Sequence, residues 1–385
     1  MPALRTRIVA LSYASFVLLG LVGTAVGPSL PTLAHQMGVG LDTAGGLVSS
    51  LSMGYLFAGL IAGPLIDALG RRPIFLAALG LQALSLPAVL LAPRMALGML
   101  AMFFLGLGQG SIDIAVHVVV GDTASQNRGA ALNRVHFFFG LGGLAGPVLA
   151  GQSLSALGSL WPAFVSFLSL NLMLFLGVAM TPLSPGQQAR PTTRARPTTL
   201  LRSRVFWLAV SFFVLYVGLE VGIGTWTFTF LNKGLHTTVT LASWAASGFY
   251  LALTLGRLTA ARLVDRRVTG ERMVLIGLSG AAAATALLWV GAEMSAITLF
   301  FAGVMLVGFC FGPIYPTAMG WVQRRYPDAI GTAVGLITTS ASVGAMLMPL
   351  FQGWLLTNHG LSWSIGAALV GLVLLWGVGA SLMRR

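Results

Sequence analysis

The sequence predicts an all-α polytopic membrane protein, twelve transmembrane helices in two six-helix pseudo-repeats, and three observations carry that prediction. Of 385 residues, 56% are hydrophobic and 8% charged, where a water-soluble domain carries roughly 25% charged residues. The mean hydropathy is +0.89, and spans of about 20 apolar residues with about a dozen per connection leave room for about twelve crossings. Finally, Gly106, Gly110, Gly129, Gly142, Pro147 and Gly151 recur as Gly308, Gly312, Gly331, Gly344, Pro349 and Gly353 at an offset of 202, and Gly20 and Asp67 recur as Gly218 and Asp265 at 198. Glycine alone is too common here, at 49 residues, to prove a duplication, but six matches at one offset that include a proline do.

The first segment, roughly 8–34, follows Arg5 and Arg7 and has no small-residue cleavage site before Pro28 and Pro31, so it reads as an uncleaved span and not a signal peptide. Segments two and three, 44–66 and 74–92, flank a short polar turn around Asp67. Segments four and five, 95–120 and 129–155, hold the buried polar residues of the first half, and segment six, 162–180, is plainly apolar. Residues 181–204 are rich in Pro, Thr and Arg and read as a flexible cytoplasmic linker between a bundle over 1–180 and a bundle over 205–385. Segment seven, 205–232, carries Glu220 among glycines, and segment eight, 241–263, carries Arg257. Segments nine to twelve, 272–290, 295–323, 330–357 and 362–382, complete the second half; Cys310 in the tenth is the single cysteine, so no disulfide framework exists.

The net charge of +13 would suit a nucleic-acid partner only if the bases clustered on one soluble face. Instead 19 of the 22 Lys and Arg fall in alternate loops on one side, with Arg94 and Lys233 on the other and Arg257 inside a span. The positive-inside rule makes the richer side cytoplasmic, puts both termini inside, and leaves no role for nucleic acid. The expected location is the cell inner membrane. Lys233 is the only lysine and follows Asn232, so there is no phosphate-binding loop, and no H-E-x-x-H or G-x-S-x-G occurs. Neither an enzyme nor a cofactor or metal site is expected, and energy must come from a gradient. Two tandem six-helix halves are the plan of a transporter, expected here as a monomer in the lipid bilayer.

Between segments two and three stands Gly63-Pro64-Leu65-Ile66-Asp67-Ala68-Leu69-Gly70-Arg71-Arg72. A glycine there allows close helix approach, Asp67 ends the span, and Gly70 turns the chain so that the arginines face the surface. The run resembles the G-x-x-x-D-x-x-G-R-R signature of the major facilitator superfamily at every specified position, and a degraded copy runs from Gly256 and Arg257 to Asp265, Arg266 and Arg267. The resemblance implies a rocker-type secondary transporter whose inward face is gated by Gly63, Asp67, Gly70, Arg71 and Arg72, with Arg257 and Asp265 in the second copy. Arg257 also follows Tyr250 and Thr254 along one face, so it can bind an anionic substrate or neutralise an acid such as Asp265.

Ionisable groups at a span centre cost ~2.5 to 3.5 kcal/mol and usually face an internal cavity. Gln109, Asp113 and His117 lie at i, i+4 and i+8 on one stripe of segment four, and Asn133 and His136 at i and i+3 in segment five. Counted from their span ends at ~1.5 Å per residue, Asp113 and His136 lie at one depth. A carboxylate beside an imidazole has coupled protonation, which makes Asp113 and His136 candidates for proton coupling. The alternative is a salt bridge from Asp113 to Arg134 that clamps two helices; for His117 a structural hydrogen bond and a functional role both stay open. Glu220 is the third candidate for proton coupling, and it corresponds to Val22 in the first half as Asp113 corresponds to Tyr315 in the second. Exceptions to a repeat are better explained by substrate or ion handling than by fold. Gln109, Asn133, His136, Tyr216, Glu220, Trp226, Tyr250 and Tyr315 are the candidate solute-binding residues, amides and hydroxyls with aromatic faces that suit a polyol.

Tyr216-Val217-Gly218-x-Glu220 and Leu132-Asn133-x-x-His136-x-Phe138-x-Gly140 resemble the fucose/galactose/glucose proton-symporter branch of that superfamily. That branch implies an essential acid at Asp113 and a polar pair at Asn133 and His136; His136 stands where the branch has glutamine, and the acid the branch carries in its first helix is absent between Val17 and Thr32. The expected function is proton-coupled movement of a small neutral polar solute, a sugar by class, by alternating access. The alternative is a proton antiporter that exports drugs or lipid-like amphipaths past Phe137, Phe138, Phe139 and Trp226.

Overall fold

The computed structural model describes residues 2–123, 128–182, 202–263, 268–326 and 330–384, without the side chains of 2–5, 67, 121–133 and 330–332. Thirteen α-helices occur among them. In the first half these are α1 (Pro2–Gln36), α2 (Leu41–Leu69), α3 (Arg71–Leu91), α4 (Met95–Thr123), α5 (Arg128–Leu157) and α6 (Trp161–Ala179). In the second they are α7 (Arg204–Thr229, continued by a π-turn over Phe230–Gly234), α8 (Val239–Leu263), α9 (Gly270–Glu293), α10 (Ile297–Phe311), α11 (Ile314–Arg325), α12 (Ile330–Asn358) and α13 (Leu361–Met383). Among the described residues twelve stretches are long and apolar enough to cross a membrane. Within hydrocarbon no water satisfies backbone N–H and C=O groups, so each crossing closes its own hydrogen-bond ladder as a helix.

The tenth span is one segment in the sequence reading and two helices in the structure. Pro313 has no N–H to donate and its ring opposes the preceding turn, so α10 stops at Phe311 and α11 begins at Ile314. The residue 202 positions earlier is Ser111, and α4 runs through it unbroken.

Contacts divide the chain into two compact units, residues 1–40 with 46–190, and 191–385 with 41–45. In the first unit α1 packs along α5, and α3 lies against α4 and α6; in the second α7 packs along α12, α9 against α10 and α13, and α8 against α10. The repeated glycines sit at these crossings. A methyl group at Gly142 would overlap the Val17 carbonyl, and one at Gly344 would overlap the Val214 carbonyl. Likewise Gly106 faces the Leu51 carbonyl as Gly308 faces that of Phe249. With lipid outside, helices associate by close van der Waals approach, which only small residues allow. Thr24 adds a hydrogen bond across the first crossing, its hydroxyl donating to the Gly143 carbonyl at 3.1 Å, and Tyr13 stacks on Phe138 at 4.3 Å.

Gly344→Val is therefore expected to lower the thermal midpoint by about 2 to 4 °C, the effect of ~2 to 3 kcal/mol of overpacking in a chain of this size. Gly377→Val, where nothing lies within 4 Å of an added Cβ, is expected to leave it unchanged. Differential scanning fluorimetry of the detergent-solubilised variants checks both.

Candidate functional site

In the first unit the stripe on α4 meets α5 through histidines. His117 Nδ1 lies 3.1 Å from Asp113 Oδ1 and 2.8 Å from the Asp113 carbonyl oxygen, the i, i+4 geometry that a helix supplies without strain. On its other side, His117 Nε2 lies 3.3 Å from His136 Nε2. Phe16 on α1 packs edge-on against both imidazoles, at centroid distances of 5.6 and 5.4 Å, and holds the rings in place. Asp113 and His117 are each about a third exposed and His136 is exposed, so the chain opens to its surroundings at the His136 end.

A neutral imidazole has one donor and one acceptor nitrogen. With Nδ1–H of His117 directed at Asp113, its Nε2 accepts, and His136 donates from Nε2. Adding a proton at His136 then leaves the His136–His117 and His117–Asp113 contacts in place and lets the extra charge move along the chain to Asp113. Among the described residues Asp113 is ion-paired with His117 and not with Arg134, which is exposed. His117, for which the sequence left two roles open, is the link between the two residues it paired by depth.

Gln109 is 3% exposed, and its amide nitrogen has no hydrogen-bond partner. Its carbonyl oxygen faces α1 at Gly23, 3.7 Å from where a Cβ would stand. The side chains of Asn133 and Asp67, and Asp265 altogether, lie outside the described residues.

In the second unit Glu220 on α7 and Arg257 on α8 face each other, Oε1 to Nη2 at 3.7 Å, with 19% and 29% of their side chains exposed. The guanidinium Nε is buried without an acceptor. The separation exceeds hydrogen-bond length, so carboxylate and guanidinium attract each other across the gap without a direct hydrogen bond. The sequence placed Arg257 at the gate with Asp265; the structure turns it toward Glu220. The two lie well inside their spans, and a lone acid and a lone base in one apolar bundle are expected to pair, a signal that was present in the sequence.

Around this pair lie three tyrosines. Tyr216 is fully buried and its hydroxyl donates to the Phe311 carbonyl at 2.9 Å, bracing α7 against α10. Tyr315, partly exposed on α11, has its ring 6.1 Å from that of Tyr216 and 5.2 Å from Phe213. The Tyr250 hydroxyl approaches α7 at Gly224, 2.8 Å from an added Cβ. Trp226 is different: no part of it is exposed, and its indole N–H donates to the Pro349 carbonyl at 2.8 Å. Here it fastens α7 to α12 and has no free face for stacking on a solute.

The predicted gate residues are also distinguishable. Gly70 has φ +91°, a left-handed conformation that favours glycine, and it caps α2 through its N–H to the Ile66 carbonyl at 2.9 Å. Arg72 reaches the Ala179 carbonyl at the end of α6, where the helix dipole favours a cation. Arg71 is half-buried. Gly63 corrects the sequence reading: among the described residues nothing lies within 4 Å of a Cβ added there, so it marks no close helix contact.

Sequence comparison identifies the family to which the two bundles belong. The model of the Major Facilitator Superfamily matches residues 13–236 and again 222–385. The chain belongs to that superfamily. As such it is a multi-pass membrane transporter and not an enzyme. The glucose/mannose transporter GlcP of Bacillus subtilis (strain 168) is 22% identical to it, over 97% of this chain and 94% of its own. A crystal structure of the D-xylose-proton symporter superposes with a TM-score of 0.79 at 16% identity, covering 96% of this chain and 97% of that one. A variant of the nucleoside transporter NupG gives 0.78 at 17% identity, covering 99% and 98%. At such identities the two structures establish the major facilitator fold and no substrate.

Proposed function

We propose that this transporter imports a small neutral polar solute, a monosaccharide by class, together with protons, by alternating access in the inner membrane with both termini in the cytoplasm. The observation that carries proton coupling is the continuous chain from the Asp113 carboxylate through His117 to the exposed imidazole of His136. His136 takes a proton, His117 relays it, and Asp113 is neutralised; release reverses the order. The orientation rests on the alternate-loop arginines, since positive loops are retained inside.

For the solute, Glu220 offers acceptors and Arg257 donors across a gap of 3.7 Å. A hydroxyl both donates and accepts, so neighbouring hydroxyls of a sugar can engage carboxylate and guanidinium together, with Tyr315 and Tyr250 beside them. An ionic solute would have to displace one member of the pair and leave the other charge uncompensated. The transport named for the Bacillus relative and for the xylose symporter supports a sugar.

Entrance counterflow of labelled glucose into proteoliposomes preloaded with unlabelled sugar tests this reading. Monosaccharides are expected to support counterflow and nucleosides are not. Counterflow driven by hydrophobic cations and by no sugar would replace it with the exporter reading.

A further inference from the structure

The second unit carries an apolar groove of about 1130 Å³ whose walls include neither Glu220 nor Arg257. Helices α7, α12 and α13 form it, with Phe351, Val370 and Leu374 along its sides and Trp289, Glu293 and Trp363 at one end. Its floor is low because α7 and α12 cross in near backbone contact at Gly218 and Gly344, so no side chain fills the valley between them. From Ser362 to Leu374 it follows about three turns of α13, roughly 18 Å at 1.5 Å per residue, which is the reach of one extended acyl chain across a leaflet. The side chains along it are exposed, Val370 by 61% and Leu374 by 58%, in spans that lie in hydrocarbon.

The Trp289 end is built differently. Trp289 and Trp363 stand where α9 ends and α13 begins, the place of interfacial tryptophans at headgroup level. Glu293, the last residue of α9, is the only charged residue lining the groove, and no described cation is paired with it. A sugar finds almost nothing to hydrogen-bond along these walls. A carboxylate at the mouth repels an anionic headgroup and attracts an ammonium group, while the Ser362 hydroxyl and Trp363 indole N–H offer donors to a neighbouring phosphate.

We propose that this groove is a binding site for a phospholipid with an amine headgroup, one acyl chain lying along α13 and the ammonium against Glu293.

Two lipids with the same photoactivatable acyl chain, one with an ethanolamine and one with a glycerol headgroup, are incorporated at equal amounts into proteoliposomes, and cross-linked peptides spanning 344–374 are quantified. The ethanolamine lipid is expected to label these peptides about threefold more, the size of one solvent-accessible ion pair. Glu293→Gln, a change at an exposed helix end, is expected to erase that preference while keeping total labelling. Gly366→Leu is expected to reduce labelling by both lipids several-fold, because the added side chain enters the groove beside Trp289, whose indole nitrogen is 4.0 Å from a Cβ there. Thermal midpoints of both variants confirm folding. Equal labelling by the two lipids in the wild type, a preference that survives Glu293→Gln, or labelling indifferent to Gly366→Leu would overturn the site.

Discussion

Asp113→Asn is expected to abolish concentrative uptake while leaving solute exchange intact. Asparagine matches the protonated acid in shape and cannot release a proton, so the carrier behaves as though permanently loaded. With one proton per solute, an inward gradient of one pH unit supports about tenfold accumulation, a driving force of ~1.4 kcal/mol. In the variant the internal to external ratio should settle at about 1, with exchange of labelled for unlabelled sugar at near wild-type rate. A purely structural role for the Asp113–His117 contact predicts something else, namely that uptake and exchange fall together with the thermal midpoint. His117→Ala removes the imidazole that bridges Asp113 and His136. It is expected to slow proton-driven uptake more than exchange.

Glu220→Gln is expected to weaken solute binding by about tenfold to a hundredfold, as measured by the half-maximal concentration for counterflow. A hydrogen bond to a charged acceptor contributes about 1.5 to 3 kcal/mol, and each 1.4 kcal/mol is tenfold in affinity. The same substitution leaves the Arg257 guanidinium in a membrane-spanning bundle without its carboxylate. Because both side chains are partly exposed, the thermal midpoint should also fall, by the equivalent of about 2 kcal/mol, less than the ~3 to 5 kcal/mol that breaking a fully buried pair costs. Glu220→Gln combined with Arg257→Met removes both charges and should recover the midpoint without recovering binding. That split separates recognition from scaffold: if the double variant regained affinity, Glu220 would be acting only as a counterion.

The fold was legible almost throughout because a bilayer imposes one rule on every residue. Apolar runs mark spans, and the repeated Gly142 and Gly344 mark crossings where backbones nearly touch. The break at Pro313 was visible as a residue but not as a helix end, since Pro147 and Pro349 sit inside unbroken helices and proline alone does not say which it will do. Gly63 misled for a related reason: glycine permits close approach without requiring it. In the candidate site, helical periodicity placed Asp113 and His117 together, and counting residues from the span ends put His136 at a similar depth. Which imidazole bridges to which depends on rotation of α5 against α4, and no sequence pattern encodes that angle. Tyr216 and Trp226 looked like solute ligands from their types and positions. Their donors are spent on the carbonyls of Phe311 and Pro349, because an N–H or O–H buried in an apolar bundle takes the nearest backbone oxygen.

The central claim is that solute and proton move together in the same direction through a chain that includes Asp113. It is tested most directly by adding sugar to a lightly buffered suspension of proteoliposomes, with no imposed gradient, and following external pH. Coupled import predicts an immediate external alkalinisation, abolished by a protonophore and absent in Asp113→Asn. External acidification, or sugar entry with no pH change in the wild type, would contradict it.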